Sequence, residues 1–168
     1  WQALKAQQVD ERIIRKIGFP MSEKLVNRSR SSVNGTVNAA LHALDVGVAF
    51  NIAGGTHHAY ADKGEGFCLL NDIAIASNYL IREKLAKKIL IIDLDVHQGN
   101  GSAKIFESND AVFTFSMHCQ DNYPLKKEQS DLDIALPAFT CDNTYLATLY
   151  DVLPDLLSQV NPDFIFYQ

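Results

Sequence analysis

The sequence has few cysteines and no long apolar run. Three cysteines occur among its 168 residues, Cys68, Cys119 and Cys141, and no two of them have the Cys-x-x-Cys spacing. Such a sparse set argues against a disulfide framework and favours reduced thiols in the cytoplasm. No apolar stretch approaches the roughly 20 residues that cross a bilayer. The N-terminal segment, residues 1–16, carries charged residues throughout and has no apolar core of a signal peptide. We therefore predict a cytoplasmic protein without a membrane segment.

Clustered positive charge is also scarce. Lysine and arginine total 15 against 20 aspartates and glutamates, which gives a net charge of −5, and the lysines cluster only in pairs such as Lys87-Lys88. This balance gives no electrostatic footprint for nucleic acid or an anionic membrane. Hydrophobic residues make up 47% of the chain and charged residues 21%, which is ordinary for one globular domain. We expect residues 1–168 to form a single domain or part of one.

Apolar strands alternate with helices along the chain. The patterns predict helices over 1–17, 36–47, 68–88, 102–108 and 141–160, the last interrupted by Pro154. They predict strands over 48–53, 88–96, 111–118, 130–137 and 163–168, with 130–137 at an edge of the sheet. This alternation indicates an α/β fold in which helices cover a mainly parallel sheet.

Polar clusters follow three of the predicted strands. His57 and His58 follow strand 48–53, Asp93, Asp95 and His97 end strand 88–96, and residues 116–118 end the next strand. Ligands of open parallel sheets bind beyond the carboxyl ends of the strands. We therefore expect the three clusters to converge on one edge of the sheet as one site.

The Asp-x-His segment suits a metal ion. In a strand, the period of two directs Asp95 and His97 to the same side, where both can reach one ion. Oxygen and nitrogen ligands without thiolate favour zinc or a similar divalent ion. Asp93 would then accept a hydrogen bond from an imidazole N–H and so fix the tautomer of that ring. The tandem histidines fit a general base and an electrostatic partner, although either motif alone is more often structural.

Two segments resemble the signature blocks of a known family. "GGTHHAYADKGEGFCLLNDIAIA" (54–76) and "IIDLDVHQGNG" (91–101) are similar to those of zinc-dependent histone deacetylases, a family that includes acetoin-utilisation proteins and acetylpolyamine amidohydrolases. The match covers about residues 30–168 and is closest to class IV and bacterial members. It implies the arginase–deacetylase fold, a three-layer α-β-α arrangement. It also implies a partial catalytic domain, incomplete at both ends.

The resemblance implies roles for single residues of the two blocks. Asp95 and His97 match two of the three zinc ligands, and His58 matches the general base. His57 matches the neighbouring histidine, with Asp93 as its carboxylate partner. Asn100 stands where many members have an aspartate paired with the second histidine. Because an amide cannot become anionic, His58 should be a weaker base here than in those members.

The resemblance also implies a substrate tunnel and a structural ion. Gly66 and Phe67 match the tunnel wall that holds the acyl-lysine chain, and Tyr123 lies about where the facing aromatic residue belongs. A structural potassium site would use five positions, Asp93, Asp95, His97, Ser116 and Met117. Phe67 as plain core and Ser116 as a strand-end hydrogen bond are the structural alternatives at these positions.

The implied activity is zinc-dependent removal of an acetyl group from acetyl-lysine or a related amine. The substrate class stays open between a histone, another protein, a polyamine and a small metabolite. In the family, a third zinc ligand and a tyrosine lie beyond the segment that matches 163–168. The alternatives are therefore a non-catalytic metal- or acyl-binding member, an inactive truncated fragment and, more weakly, an arginase-type dimanganese hydrolase.

Overall fold

A computed structural model describes residues 2–6 and 8–168. The chain divides into two compact units, the first ending at Leu80 and the second beginning at Ile81. Among the described residues, no helix combines the length and the apolar character that a membrane crossing requires. In chain order the elements are α1 (Gln2–Lys5), α2 (Glu11–Ile17), α3 (Glu23–Val46), α4 (Asp72–Arg82), β1 (Ile89–Asp93), α5 (Asn100–Phe106), β2 (Val112–Cys119), β3 (Leu132–Leu136), α6 (Asp142–Val160) and β4 (Phe164–Tyr167).

Helices form most of the first unit, and their ends differ from the prediction. The predicted helix 1–17 is two helices, because Asp10 caps α2 by accepting a hydrogen bond from the Arg12 backbone N–H. Residues 1 and 7 of the predicted helix lie outside the described residues. Helix α3 begins 13 residues before the predicted start at 36, since Ser22 accepts a hydrogen bond from the Leu25 N–H. The polar stretch before residue 36 is therefore helical.

The predicted strand 48–53 is wrong. Residues 48–51 have no regular structure and residues 52–53 form a turn. Val48, Phe50 and Ile52 are exposed by 64%, 84% and 102%, whereas Asn51 donates hydrogen bonds to α3. The alternation of side chains is that of a strand, but no described residue supplies a hydrogen-bonding ladder, which a strand requires.

The second unit contains a four-stranded, fully parallel sheet with the order β3-β2-β1-β4. Strand β1 is buried at all five positions, as expected of a central strand of a parallel sheet. Helix α6 packs on the sheet face that carries Leu90, Ile92 and Phe115. The α/β prediction and the edge position of residues 130–137 are confirmed.

Helices α4 and α6 differ from the prediction in their extent. Helix α4 runs only from Asp72 to Arg82, and Lys84 has a left-handed φ of 59°. Helix α6 continues through Pro154 without interruption. A proline inside a helix costs about 3 kcal/mol, but Leu156 and Val160 are buried in the sheet core and hold the following turns in place.

The order of the strands defines a switch point in the sheet. Strand β1 is followed by α5 and β2 on one side, whereas α6 leads across to β4 on the other side. Because parallel crossovers are right-handed, α5 and α6 cover opposite faces. Crevices for ligands form where the connections diverge, beyond the carboxyl ends of the strands. That point lies between β1 and β4, immediately after Asp93.

Candidate active site

The Asp-x-His segment lies at this switch point, but not on a strand. Strand β1 ends at Asp93, and residues 95–97 form a bend. The Asp95 N–H donates to Asp93 Oδ1 at 3.1 Å, and the His97 N–H donates to Asp95 Oδ1 at 2.8 Å. The predicted reason, the period of two in a strand, is therefore wrong. Each aspartate instead turns the chain by binding the N–H two residues on.

The bend brings one oxygen and one nitrogen atom together. Asp95 Oδ1 lies 3.0 Å from His97 Nδ1, and the two side chains are 46% and 37% exposed. Zinc ligands of these types lie about 2 Å from the ion, so two atoms bound to one ion are roughly 3 Å apart. The separation of the two atoms is compatible with a hydrogen bond between them and with a shared divalent ion. In the described part of the chain, no group of three histidine, cysteine or acidic side chains is arranged for a metal.

Asp93 lies in the sheet beneath this pair. It is 2% exposed, its Oδ2 accepts a hydrogen bond from Gln168 Nε2 at 2.7 Å, and Ser116 is its register partner on β2. The Met117 side chain is part of the sheet core, so only its backbone is available to an ion. The five positions of the predicted potassium site thus lie on or after two paired strands, and the potassium ion stays a prediction.

A loop after β2 is tied to the bend through Gln98. The fully buried Gln98 amide donates to the Glu128 carbonyl at 2.7 Å and to Asp133 Oδ1 at 2.9 Å, and it accepts from the Glu128 N–H. The Tyr123 ring, in the same loop, meets the His97 ring almost perpendicularly at a centroid distance of 6.2 Å. The structure therefore brings two predicted site residues, Tyr123 and His97, together.

A buried histidine lies at the end of β2. His118 is 3% exposed, and its Nδ1 lies 3.0 Å from Ser116 Oγ and 3.9 Å from Asp133 Oδ1. Burial lowers the pKa of His118, and the nearby Asp133 carboxylate opposes that effect only in part. His118 is therefore a neutral, structural imidazole at neutral pH. Asn100, the first residue of α5, is fully buried.

In the first unit, the tandem histidines are buried, and their two rings lie close together at a tilt of 44°. His57 and His58 are each 5% exposed, and their ring centroids are 4.1 Å apart. The loop that carries them is bonded to the beginning of α4 through Asn71 and Asp72. These two imidazoles are consequently not solvated surface groups; they lie in a buried turn, and their functional role stays a prediction.

A tight hairpin places Gly66 against His58. Glu65 and Cys68 exchange both backbone hydrogen bonds, and Gly66 and Phe67 between them have φ values of 56° and 64°. Two positive φ angles define a type I′ turn, which a phenylalanine enters only at a cost. A Cβ atom at residue 66 would lie 2.8 Å from His58 Cδ2, so glycine is needed there. The Phe67 side chain is 64% exposed at the tip.

The structure thus groups the predicted residues in two sets. Gly66 and Phe67 lie with the tandem histidines in the first unit, whereas the Asp-x-His pair, Tyr123 and Asn100 belong to the second. The predicted pairings of His57 with Asp93 and of His58 with Asn100 join residues of both units, so they stay predictions. Sequence reasoning missed Asn71, Asp72 and Gln98. Their signal was the presence of polar residues inside otherwise apolar or glycine-rich segments.

Comparison with known proteins shows the family of this chain. The histone deacetylase domain family matches residues 2–168. An uncharacterised protein of Picosynechococcus sp. is 53% identical over 153 residues, which are 91% of this chain and 51% of that protein. The acetoin utilization protein AcuC of Bacillus subtilis is 31% identical over 81% of this chain and 38% of its own length. This chain therefore spans about half, or less, of the curated relatives' length.

Solved structures give the same result for the fold. An HDAC homolog from Aquifex aeolicus superposes with a TM-score of 0.82 and 29% identity, over 99% of this chain and 50% of its own. An HDAC homolog complexed with SAHA gives a TM-score of 0.81 and 28% identity over the same shares. The protein belongs to the histone deacetylase family. Its fold is of the predicted arginase–deacetylase type.

Proposed function

We propose that the protein is a zinc-dependent amidohydrolase that removes the acetyl group from acetyl-lysine or a related N-acetylated amine. The observation that carries this proposal is the 3.0 Å approach of Asp95 Oδ1 and His97 Nδ1 at the sheet's switch point, in a chain of the histone deacetylase family. Asp95 and His97 would hold the zinc ion. Bound there, zinc would supply Lewis acidity toward the acetyl carbonyl and the attacking water.

The chain's own histidines would move the proton. His58 would take a proton from the attacking water and return one to the amine that leaves. His57, whose tilted ring lies beside it, would influence its charge, with Asp93 as the carboxylate partner of His57 and Asn100 as the partner of His58. An uncharged amide at residue 100 favours the imidazolium less than a carboxylate would, which makes His58 a modest base.

The substrate side chain would pass between aromatic rings. Phe67 at the hairpin tip, Gly66 and Tyr123 would line the acyl-lysine tunnel, and the exposed Phe67 ring and the partly exposed Tyr123 ring suit an apolar methylene chain. The solved homolog complexed with SAHA supports a site of this kind in the family. A structural potassium ion beside Ser116 and a cytoplasmic location belong to the same proposal.

The proposal is tested by hydrolysis of an acetyl-lysine peptide, with and without a chelator, together with the zinc content of the purified chain. We expect zinc-dependent hydrolysis. His97→Ala should lose both zinc and turnover, whereas His58→Ala should keep zinc and lose turnover. His42→Ala, at an exposed position on α3, is the matched control and should behave like the wild type.

Two results would contradict the proposal in different ways. Zinc binding without hydrolysis would favour the alternatives, a non-catalytic member that binds metal or acyl groups or an inactive truncated fragment. Equal zinc loss in the His58 and His97 variants would overturn the division of roles between the two histidines.

A further inference from the structure

The segment that carries the tandem histidines is held by two side chains at the start of α4. Asp72, 1% exposed, accepts four hydrogen bonds from residues that lie before it in the chain. Its Oδ1 accepts from the N–H and the hydroxyl of Thr56, at 2.8 and 2.6 Å, and its Oδ2 accepts from Gly55 N–H and the Thr36 hydroxyl. Both oxygens of the Asp72 carboxyl group therefore act as acceptors in this network.

The preceding residue holds the other end of the same segment. Asn71, 4% exposed, donates through Nδ2 to the Ala59 carbonyl at 3.1 Å and to the His57 carbonyl at 3.5 Å. Its Oδ1 accepts from the Ala74 N–H at 2.9 Å and so caps α4. One amide therefore connects the end of a helix to the backbone on both sides of His58.

The surroundings leave this network little freedom. Asn51 Nδ2 donates to Thr36 Oγ1 at 2.7 Å, which ties the network to α3. A Cβ atom at Gly54 would lie 2.6 Å from Asp72 Oδ2, and one at Gly35 would lie 2.9 Å from the Asn51 amide. The backbone of residues 54–59 is thus packed against the buried polar groups and cannot shift without breaking several hydrogen bonds.

We infer that Asn71 and Asp72 are positioning residues that fix the backbone on both sides of the tandem histidines and so set the orientation of the His57 and His58 imidazoles. The inference rests on the proposed function for the reason why the orientation matters, since a general base must lie within hydrogen-bond distance of the proton that it takes. Neither residue touches the reacting atoms; each acts through the backbone of residues 55–59.

The first test is Asn71→Asp, which keeps the helix cap and replaces the donor by an acceptor that faces two carbonyls. Long-range proton–nitrogen spectra of the imidazoles report the result without any need for turnover. We expect the His57 and His58 signals to shift or broaden while the His97 and His118 signals stay in place. Asn78→Asp is the matched control, because Asn78 lies at an exposed position of the same helix and donates to the carbonyl of Ala74, outside the tandem-histidine segment.

A second pair of variants guards against simple loss of folding. Thr56→Val is isosteric and removes the hydroxyl between Asp72 Oδ1 and the Asp72 N–H, whereas Thr56→Ser keeps it. We expect the His57 and His58 imidazole signals to shift in Thr56→Val and to stay at their wild-type positions in Thr56→Ser. Unchanged His57 and His58 signals in both Asn71→Asp and Thr56→Val would overturn the inference.

The peptide assay separates this inference from the proposed function. With hydrolysis present, Asn71→Asp should lower kcat by about a hundredfold and change KM by less than about twofold, because a misplaced catalytic group costs rate rather than affinity. An equal loss in Asn78→Asp would mean a general effect on α4 and would contradict the inference. Absent hydrolysis in the wild type contradicts the proposed function alone, and the imidazole spectra still decide the positioning role.

Discussion

The two histidine-bearing segments of this protein are built in opposite ways. Residues 57–59 of the tandem-histidine segment are buried, and the backbone of residues 55–59 is held by the Asn71 and Asp72 side chains at the start of α4. The bend at residues 95–97 is half exposed, and aspartates two residues away turn it. A proton-transferring group gains from a fixed, dry position, whereas ligands of an ion can be organised locally and closed by the ion itself. We expect substitutions at the first segment to cost stability, and those at the second to affect mainly ion binding.

The largest effect is expected where the buried carboxylate is removed. Asp72→Ala leaves the donors of Gly55, Thr56 and Thr36 without their acceptor, and each buried unsatisfied group costs about 1–3 kcal/mol. We expect a loss of about 4 kcal/mol in the free energy of unfolding, measured with urea. Asp62→Ala, at an exposed position of the following loop, should change it by less than about 0.5 kcal/mol. A loss below about 1 kcal/mol for Asp72→Ala would remove the contrast between the two segments.

Glycine substitutions separate the contact with His58 from backbone strain. Both Gly66 and Gly47 have positive φ angles, 56° and 91°, but only Gly66 has a neighbour, His58, within reach of a Cβ atom. Gly47→Ala should cost about 1 kcal/mol, from strain alone, and Gly66→Ala about 3 kcal/mol, from strain and overpacking. Urea unfolding measures both. Equal costs would mean that the hairpin moves away from His58 without penalty.

A smaller effect is expected beneath the Asp-x-His bend. Gln98→Glu removes the donor to the Glu128 carbonyl and to Asp133, and it places one carboxylate beside another. We expect a loss of about 2 kcal/mol in stability and a roughly tenfold rise in the Kd for zinc, because the support of His97 weakens. Titration calorimetry with zinc measures the second quantity. Gln129→Glu, an exposed change of equal charge in the same loop, should leave both values near those of the wild type.

The smallest effect concerns pH and the buried imidazole of the second unit. Burial lowers the pKa of His118 below 6.5, with Asp133 opposing and Lys127 reinforcing that shift. Below about pH 6.5 the unfolded chain therefore binds a proton that the folded chain rejects, so stability should fall as the pH decreases, by at most about 1.4 kcal/mol per pH unit. Urea midpoints measured over a pH series check this. His118→Gln should flatten the slope, and an unchanged slope would assign it to other groups.

Strands whose own apolar residues indicate a buried strand were predicted from the sequence. The prediction failed where the structure depends on contacts with residues elsewhere in the chain. Apolar runs such as residues 89–92 predicted β1, which is buried throughout, and β2, which is buried at most positions, and both strands formed near the predicted positions. Residues 48–53 have an equally clear strand pattern, yet they form no strand, because pairing depends on residues elsewhere in the chain. Helix α3 was placed too late since its polar first half is stabilised by its Ser22 cap, which apolar periodicity does not report.

The candidate site followed the same division. Motif resemblance identified the tandem histidines and the Asp-x-His pair as candidates, and their roles stay predictions; the structure shows that Asp95 Oδ1 and His97 Nδ1 lie 3.0 Å apart. The hydrogen bonds from Asn71, Asp72 and Gln98 could not be predicted, because each joins residues that are 12 or more positions apart and depends on the packed fold. A local hydrogen bond, such as the one that Asp95 Oδ1 accepts from the His97 N–H, also bends the chain, so the side-chain alternation of a strand does not apply there.

The type I′ turn at Gly66 and Phe67 has a consequence for directed evolution. Asparagine or glycine at residue 67 would adopt its φ of 64° with less strain, so a library selected only for thermal resistance should drift away from phenylalanine there. A library selected for processing of an acylated peptide should retain an aromatic ring at the same codon. Sequencing the two pools would separate, at one position, what the chain needs in order to fold from what it needs in order to work.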